Sequence, residues 1–192
     1  MIRVALGCVV AALLVAASAE SAFAQARTSP GAGSVIVVDT SKGVIEFETY
    51  PNEAPKTVAH ILALVKRGFY NGQRVHRVVP NFVIQFGDPQ TRDMTKKELW
   101  GKGRAAGSGK PIGVAEMHKN RPHKLGSVAM AHAGNPAESD SQIYITLRAT
   151  PELNPKYTVF GQVITGMDIV KKIEEGDIIK KVTVKAAAPA TR

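Results

Sequence analysis

Short stretches that are apolar, or in which apolar and polar residues alternate, dominate this chain, and they predict β-strands with a buried face. The first two, 35–38 and 44–50, flank a turn at 40–43 and predict a hairpin. Further strands are predicted at 73–79, 82–87, 113–117, 125–131, 142–147, 157–163 and 178–185. The pattern therefore predicts a mainly β protein.

Two segments have the spacing of helices instead. Pro55 suits a first helical turn because it needs no N–H partner there, and apolar residues then recur at Val58, Ile61, Leu62 and Val65. Gly68 marks the end of this helix. A second, short helix is predicted over 167–175. Because helices do not alternate with strands, a closed antiparallel barrel or a sandwich is favoured over a doubly wound parallel sheet.

The N-terminus has the pattern of a secretory signal peptide. Arg3 precedes an apolar run, and Ala22-Phe23-Ala24 fits a small-x-small cleavage site. The run of about 14 residues is short for a membrane span, although an uncleaved anchor is the alternative. The predicted organisation is a signal peptide 1–24, a flexible leader 25–33, one domain 34–185 and a disordered tail 186–192.

Cleavage after Ala24 would leave 168 of the 192 residues in the periplasm or outside the cell. Cys8 is the one cysteine of the sequence and would leave with the signal peptide. No disulfide is therefore expected in the mature protein, although its compartment would permit one.

The formal charge is +9, and much of it lies in segment 92–124, which carries nine lysines and arginines against three acidic residues. Such a segment could attract an anionic surface or polymer, but a solvated basic loop is the simpler interpretation. Nucleic-acid readers usually add aromatic residues for base stacking, and here Trp100 stands alone. Nucleic-acid binding is therefore not expected. Within 88–112, glycines and charges without periodicity predict a long loop, of the kind that is often functional or mobile.

The sequence offers little of the equipment of hydrolases or redox enzymes. No metal-binding pair spacing connects its five histidines, His60, His76, His118, His123 and His132. The serines lack the context of a nucleophile elbow. The glycines fit neither a phosphate-binding loop nor a dinucleotide fingerprint. No metal or cofactor is therefore expected.

Residues 76–88 place one arginine and one glutamine among apolar residues. On a strand, side chains two apart share a face, so Arg77 would share a face with Val79. After a turn, Val83 and Gln85 would share a face again. An arginine and an amide beside an apolar wall could hold a peptide and polarise it, whereas no nucleophile with its base is present.

Segment 76–88 and four further motifs resemble the cyclophilins, which are peptidyl-prolyl cis–trans isomerases. The further motifs are Gly68-Phe69-Tyr70-Asn71-Gly72, 126–131 (GSVAMA), 140–146 (DSQIYIT) and 157–161 (YTVFG). The resemblance runs in order from Val35 to Val184. It implies a closed eight-stranded antiparallel barrel that is capped by two α-helices.

The resemblance also implies a site. The catalytic arginine of the family corresponds to Arg77. Its substrate-binding positions correspond to Phe82, Val83, Gln85, Ala131, His132, Gln142, Tyr144, Leu153 and Tyr157. A guanidinium aimed at the prolyl nitrogen would stabilise mainly the twisted X-Pro bond, which is the differential binding that catalysis needs.

Several of these positions depart from the family pattern. Val83 replaces a methionine, Tyr144 a phenylalanine and Tyr157 a histidine, while His132 replaces an asparagine that acts mainly through its backbone. Glu152 stands where the family has a tryptophan that contacts cyclosporin. We therefore expect weak cyclosporin binding with activity retained.

The resemblance implies an exported isomerase that assists the folding of exported proteins, because prolyl isomerisation is slow enough to limit folding. Its partners would be proline-containing segments of unfolded or partly folded proteins. Neither nucleic acid nor stable membrane insertion after signal cleavage is expected, and a monomer is the family expectation.

Two other hypotheses stay open on the sequence alone. The changes at Val83, Tyr144 and Tyr157 could leave a binding module that grips proline-containing segments but turns over poorly. Segment 92–124 could also dock the protein on acidic polymers or membranes, which is compatible with either activity.

Overall fold

The computed structural model describes residues 33–103 and 106–185. The predicted signal peptide, most of the predicted leader and the predicted tail lie outside the described residues. The described part contains two helices, α1 (Pro55–Lys66) and α2 (Met167–Val170), and eight strands: β1 (Val35–Thr40), β2 (Gly43–Thr49), β3 (Arg77–Val79), β4 (Val83–Phe86), β5 (Ser127–Met130), β6 (Ile143–Thr146), β7 (Val159–Thr165) and β8 (Ile179–Val184).

All eight strands join one antiparallel sheet in the order β3-β4-β6-β5-β7-β2-β1-β8. The sheet curls through 228° and stays open. The predicted closed barrel is therefore wrong, although the eight antiparallel strands are confirmed. In the described chain, the two edges meet at an isolated bridge between Arg74 and Ile178. They form no ladder because β3 has three residues and Gly176, at φ 94°, turns the chain just before β8.

The two faces of the sheet pack into different clusters. On β6, Ile143 and Ile145 enter the main core, whereas Tyr144 joins a smaller cluster on the opposite face. The main core also takes the buried stripe of α1, including Ile61 and Leu64. Because side chains alternate along the strands, one face of the sheet packs into the main core and the other carries the smaller cluster.

The first helix agrees with its sequence signals. Pro55 is its first residue, and Gly68 adopts φ 68° just beyond its end. The N–H of Gly68 donates to the carbonyl of Val65 at 2.9 Å, and that of Phe69 donates to the carbonyl of Leu64 at 3.0 Å. This is the Schellman arrangement that glycine favours. The second helix ends at Val170 and is shorter than predicted.

The segment 113–117, which was predicted to be a strand, is instead a loop. Its backbone does not join the sheet, and the N–H of Gly113 donates instead to the carbonyl of Ala137. The carboxylate of Glu116 accepts the N–H groups of Lys56 at 3.0 Å and Thr57 at 2.8 Å. The segment therefore caps the N-terminus of α1, where unpaired N–H groups attract an anion.

The predicted loop at 88–112 contains two short 3₁₀ helices, Pro89–Arg92 and Met94–Leu99. Asp88 and Asp93 cap them by accepting backbone N–H groups two residues ahead. Trp100, 7% exposed, donates from its indole N–H to the carbonyl of Asp93. In 33–103 and 106–185, no helix is long and apolar enough to cross a membrane.

Candidate active site

The face opposite the main core carries one row of side chains across five strands. Strand register pairs Arg77 with Gln85, Gln85 with Tyr144, Tyr144 with Ala129, and Ala129 with Val159. Alternation predicted faces only within each strand, and the register adds that Arg77 stands opposite Gln85. A cation, an amide and an aromatic ring therefore stand side by side on a rigid sheet.

Beside this row lies a cavity of about 240 Å³. Pockets for drug-sized ligands span roughly 300–1,000 Å³, so this one suits a single ring or side chain. Nine of the ten predicted site residues line it: Arg77, Phe82, Val83, Gln85, Ala131, His132, Tyr144, Leu153 and Tyr157. The tenth, Gln142, lies behind Gln85, and its Oε1 accepts the Nε2 of Gln85 at 2.8 Å.

The orientation of Arg77 depends on a relay of amides. Its Nη1 donates to Gln85 Oε1 at 3.3 Å. Gln85 Nε2 donates to Gln142, whose own Nε2 donates to the carbonyl of Ala106 at 2.9 Å. Among the described residues, no carboxylate lies within ion-pair distance of Arg77. An exposed cation is thus held beside the cavity with its charge uncompensated.

Aromatic rings form the other wall of the cavity. Tyr157 packs edge-on against Tyr144 at 5.7 Å and lies 4.4 Å from the ring of His132. His132 Nε2 donates to the carbonyl of Lys156 at 2.9 Å, and its Nδ1 accepts the N–H of Gly134 at 3.2 Å. These two partners hold the ring of His132 against the wall of the cavity.

An ion pair stands at the rim. Arg148 Nη2 lies 2.7 Å from Glu152 Oε1, and both side chains are about half exposed. Arg148 Nε donates to the carbonyl of Asn81 at 2.9 Å, and its guanidinium carbon lies 5.9 Å from the ring centre of Phe82. Arg148 therefore ties the β3–β4 turn, from which Phe82 enters the cavity, to the loop after β6.

The sequence did not predict two residues that support the site, His123 and Asn154. His123 lies behind Tyr144, with Nε2 2.7 Å from the tyrosine oxygen, and its Nδ1 contacts Asn154. Burial raises the pKa of Tyr144 well above its usual 10 and lowers the pKa of His123 from 6.5. Neither short-range spacing nor a motif marks this contact, because the partners come from separate loops and strands.

A second cluster of polar side chains surrounds Asp140. Ser108 and His60 both contact Asp140, the histidine at 3.2 Å, so the serine hydroxyl donates to the carboxylate and not to the histidine. No group of three His, Cys, Asp or Glu side chains in the described part could hold a metal ion. The side chains that line the cavity can bind a ligand and stabilise charge.

Residues 35–189 match the family described as cyclophilin type peptidyl-prolyl cis-trans isomerase/CLD. The chain is 39% identical over 150 residues to a probable peptidyl-prolyl cis-trans isomerase of Brucella abortus, covering 78% of this chain and 76% of that one. It is 39% identical over 141 residues to peptidyl-prolyl cis-trans isomerase B of Bacillus subtilis, covering 73% of this chain and 90% of that one.

Solved structures agree with these relatives. A cyclophilin-type isomerase of Cryptosporidium parvum superposes with a TM-score of 0.68 and 25% identity, covering 81% of this chain and 99% of that one. The same protein in the presence of the dipeptide Ala-Pro gives a TM-score of 0.67 and 26% identity, covering 80% and 99%. The resemblance seen in the motifs is thus confirmed, and the chain belongs to the cyclophilin-type peptidyl-prolyl cis–trans isomerases and is an isomerase.

Proposed function

We propose that Arg77 is the catalytic residue of this isomerase and that the 240 Å³ cavity holds the proline ring of an X-Pro segment. The observation that carries this proposal is the exposed guanidinium, held by Gln85 beside a cavity of ring size. Arginine suits the task because it is always charged and has fixed donor geometry.

The chemistry requires electrostatics without a nucleophile or a titrating base. The X-Pro bond has partial double-bond character, with a rotation barrier of roughly 18–20 kcal/mol. Twisting the bond removes resonance and returns a lone pair to the prolyl nitrogen. A guanidinium donating to that nitrogen binds the twisted state more strongly than either planar state, and this difference lowers the barrier.

The walls of the cavity hold one side of the bond while the other side rotates. Phe82, Val83, Tyr144 and Leu153 clamp the ring, and all four belong to one packed cluster. Gln85 and the backbone at His132 hold the flanking carbonyl and N–H groups. Fixing one half of the substrate confines the motion to the reactive torsion.

Prolyl isomerisation of a short X-Pro peptide tests the role of Arg77. A net charge-assisted hydrogen bond contributes about 1.5–3 kcal/mol, equivalent to roughly 10- to 150-fold in rate. We expect Arg77→Ala to lower kcat/KM by at least this factor. Arg67→Ala, which removes an exposed arginine at the end of α1, should leave it unchanged.

Each variant would first be checked by circular dichroism and thermal unfolding. Near-normal turnover by a folded Arg77→Ala protein would remove Arg77 from the catalytic role. Peptide binding without acceleration by the wild-type protein would instead favour the binding-module hypothesis.

The N-terminal sequence pattern supports a place for this activity outside the cytoplasm. The substrates are X-Pro segments of exported proteins that have not finished folding, and the protein serves them as a monomer in the periplasm or outside the cell. Fractionation of cells that express the full chain, with N-terminal sequencing of the product, tests this. We expect a first residue of Gln25 in the exported fraction, whereas an unprocessed cytoplasmic protein would contradict it.

A further inference from the structure

The proposed reaction assigns no role to His123, the buried histidine behind Tyr144. His123 is 3% exposed and does not line the cavity. Its Nε2 lies 2.7 Å from the hydroxyl oxygen of Tyr144, and the two rings are parallel within 5° with centres 5.9 Å apart. The histidine therefore supports this wall of the cavity from its far side.

The direction of the hydrogen bonds follows from Asn154. Its Oδ1 accepts the backbone N–H of His123 at 3.1 Å and lies 2.6 Å from His123 Nδ1, so the proton of the ring is on Nδ1. Burial lowers the pKa of His123 from 6.5, more than Asn154 and Glu152 raise it, so the ring is neutral at pH 7. Nε2 is then an acceptor, and the hydroxyl of Tyr144 donates to it and points away from the cavity.

His123 also bonds to the loop that carries Leu153, which forms a second wall of the cavity. Asn154 follows Leu153, which lines the cavity opposite the strands, and the N–H of Thr150 donates to the carbonyl of His123 at 3.1 Å. The loop that carries Leu153 is thus bonded to His123 at both ends. The backbone of His123 makes two of these bonds, and its imidazole contacts Asn154 through Nδ1 and Tyr144 through Nε2.

We propose that His123 is a positioning residue of the isomerase, which takes the Tyr144 hydroxyl out of the pocket and holds the apolar part of that ring against the proline. This rests on the proposed role of Tyr144 as a wall of the proline pocket. Without the acceptor, the buried hydroxyl would have no partner, which is costly. It could then find water only by turning toward the cavity, where it would disturb the bound ring.

His123→Leu tests the acceptor, because leucine fills a similar volume without a polar atom and Asn154 keeps the backbone N–H of residue 123. We expect kcat/KM for an X-Pro peptide to fall roughly tenfold, since the hydroxyl loses its partner. His123→Gln offers an amide oxygen near the place of Nε2 and should keep most of the activity.

The decisive variant combines His123→Leu with Tyr144→Phe, which removes the hydroxyl and its acceptor together. We expect its kcat/KM to lie within about twofold of that of Tyr144→Phe alone, because the pair acts as one unit. His118→Leu is the matched control, since His118 is exposed in the same segment, and it should behave like the wild type. A tenfold loss from His123→Leu in both backgrounds would overturn the proposal, as would full activity of His123→Leu alone.

Nitrogen-15 NMR of the imidazole supplies a readout that packing alone would not move. We expect the Nδ1–H tautomer in the wild type and a shifted Nε2 resonance in Tyr144→Phe; an Nε2–H tautomer would overturn the proposal even if His123→Leu fails to fold. Arg77→Ala separates the two proposals. Loss of activity in Arg77→Ala with none in His123→Leu would remove the positioning role and leave the proposed function standing, whereas an inactive wild type would remove the proposed function itself.

Discussion

Gln85 is engaged at both ends of its amide. Its oxygen accepts from Arg77 and its nitrogen donates to Gln142, which is bonded in turn to the carbonyl of Ala106. A guanidinium on a flexible stem loses rotamer freedom when it is held in one place. Because Gln85 is anchored before the substrate binds, Arg77 loses part of its rotamer entropy when the protein folds and not during the reaction.

Removal of this anchor should weaken catalysis without abolishing it. The bond from the Arg77 guanidinium to Gln85 is long, at 3.3 Å, and exposed to solvent. We therefore expect it to contribute about 0.5–1.5 kcal/mol, and Gln85→Leu to lower kcat/KM roughly 2- to 12-fold. Gln162→Leu removes a comparable glutamine that donates to the carbonyl of Leu125 outside the relay, and should leave kcat/KM unchanged. If Gln85→Leu and the wild-type protein have the same kcat/KM, Arg77 does not depend on Gln85 for its orientation.

Residue spacing could predict which side chains share a face but not what supports them. Alternation predicts that Arg77 shares a face with Val79 and that Gln85 shares one with Val83, and the strand register adds that Arg77 stands opposite Gln85. His123 is separated by 21 residues from Tyr144 and by 31 from Asn154. No local rule connects positions so far apart, because their contact depends on how two loops fold back over the sheet.

At the scale of elements, helix α1 was predictable because its signals are local: a proline at its start, an apolar stripe and a glycine at φ 68° beyond its end. The loop 113–117 was not. Val114 and Glu116 are partly buried between exposed neighbours, which is the alternation of a strand. Alternation reports which side chains face the protein, but it does not report where the backbone N–H and C=O groups find partners.

The cap that this loop provides has a measurable consequence. Glu116→Ala removes the carboxylate that accepts the N–H groups of Lys56 and Thr57. We expect the free energy of unfolding to fall by about 1–2 kcal/mol, as for the loss of a helix N-cap. Urea unfolding would measure this, with Glu98→Ala, which removes an exposed glutamate in the 3₁₀ helix Met94–Leu99, as the control. Equal midpoints for both variants would argue against a capping role.

At the scale of the whole molecule, the buried His123 and the partly buried His76 make stability depend on pH. Burial lowers the pKa of His76 and of His123 from 6.5, although Asp88 and Glu152 oppose the shift. Below that value the unfolded chain binds more protons than the folded one, so stability rises with pH through this range. The contribution of these two histidines to stability is therefore fully present above roughly pH 6.5, and it is lost as the pH falls below that value.

Urea unfolding at about pH 7.5 and about pH 5.5 checks this dependence. We expect the free energy of unfolding to be lower at the acidic value, and His123→Gln to reduce the difference. His118→Gln, at an exposed site, should leave the difference as it is in the wild type. An unchanged difference in His123→Gln would mean that other groups set the acid limit.

Closure of the sheet was the property of the whole molecule that the sequence could not settle. The number and direction of the strands follow from alternation and turns, but closure requires the first and last strands of the sheet to pair along their length. Here the chain before β3 bonds to the start of β8 and the residues just before it, through Gly72, Val75 and Ile179, without forming a ladder. Such irregular pairing depends on backbone turns near Gly176 rather than on any apolar pattern.

The two-faced sheet also constrains how this protein can change over generations. A one-residue insertion inside β6 would exchange its faces, sending Ile143 or Ile145 toward the cavity and Tyr144 into the core. Substitutions at alternate positions can therefore reshape the pocket while the core stays intact. Changes of length are confined to the loops, so divergence in substrate preference should accumulate at alternate strand positions and in loop lengths, with the lengths of the strands held constant.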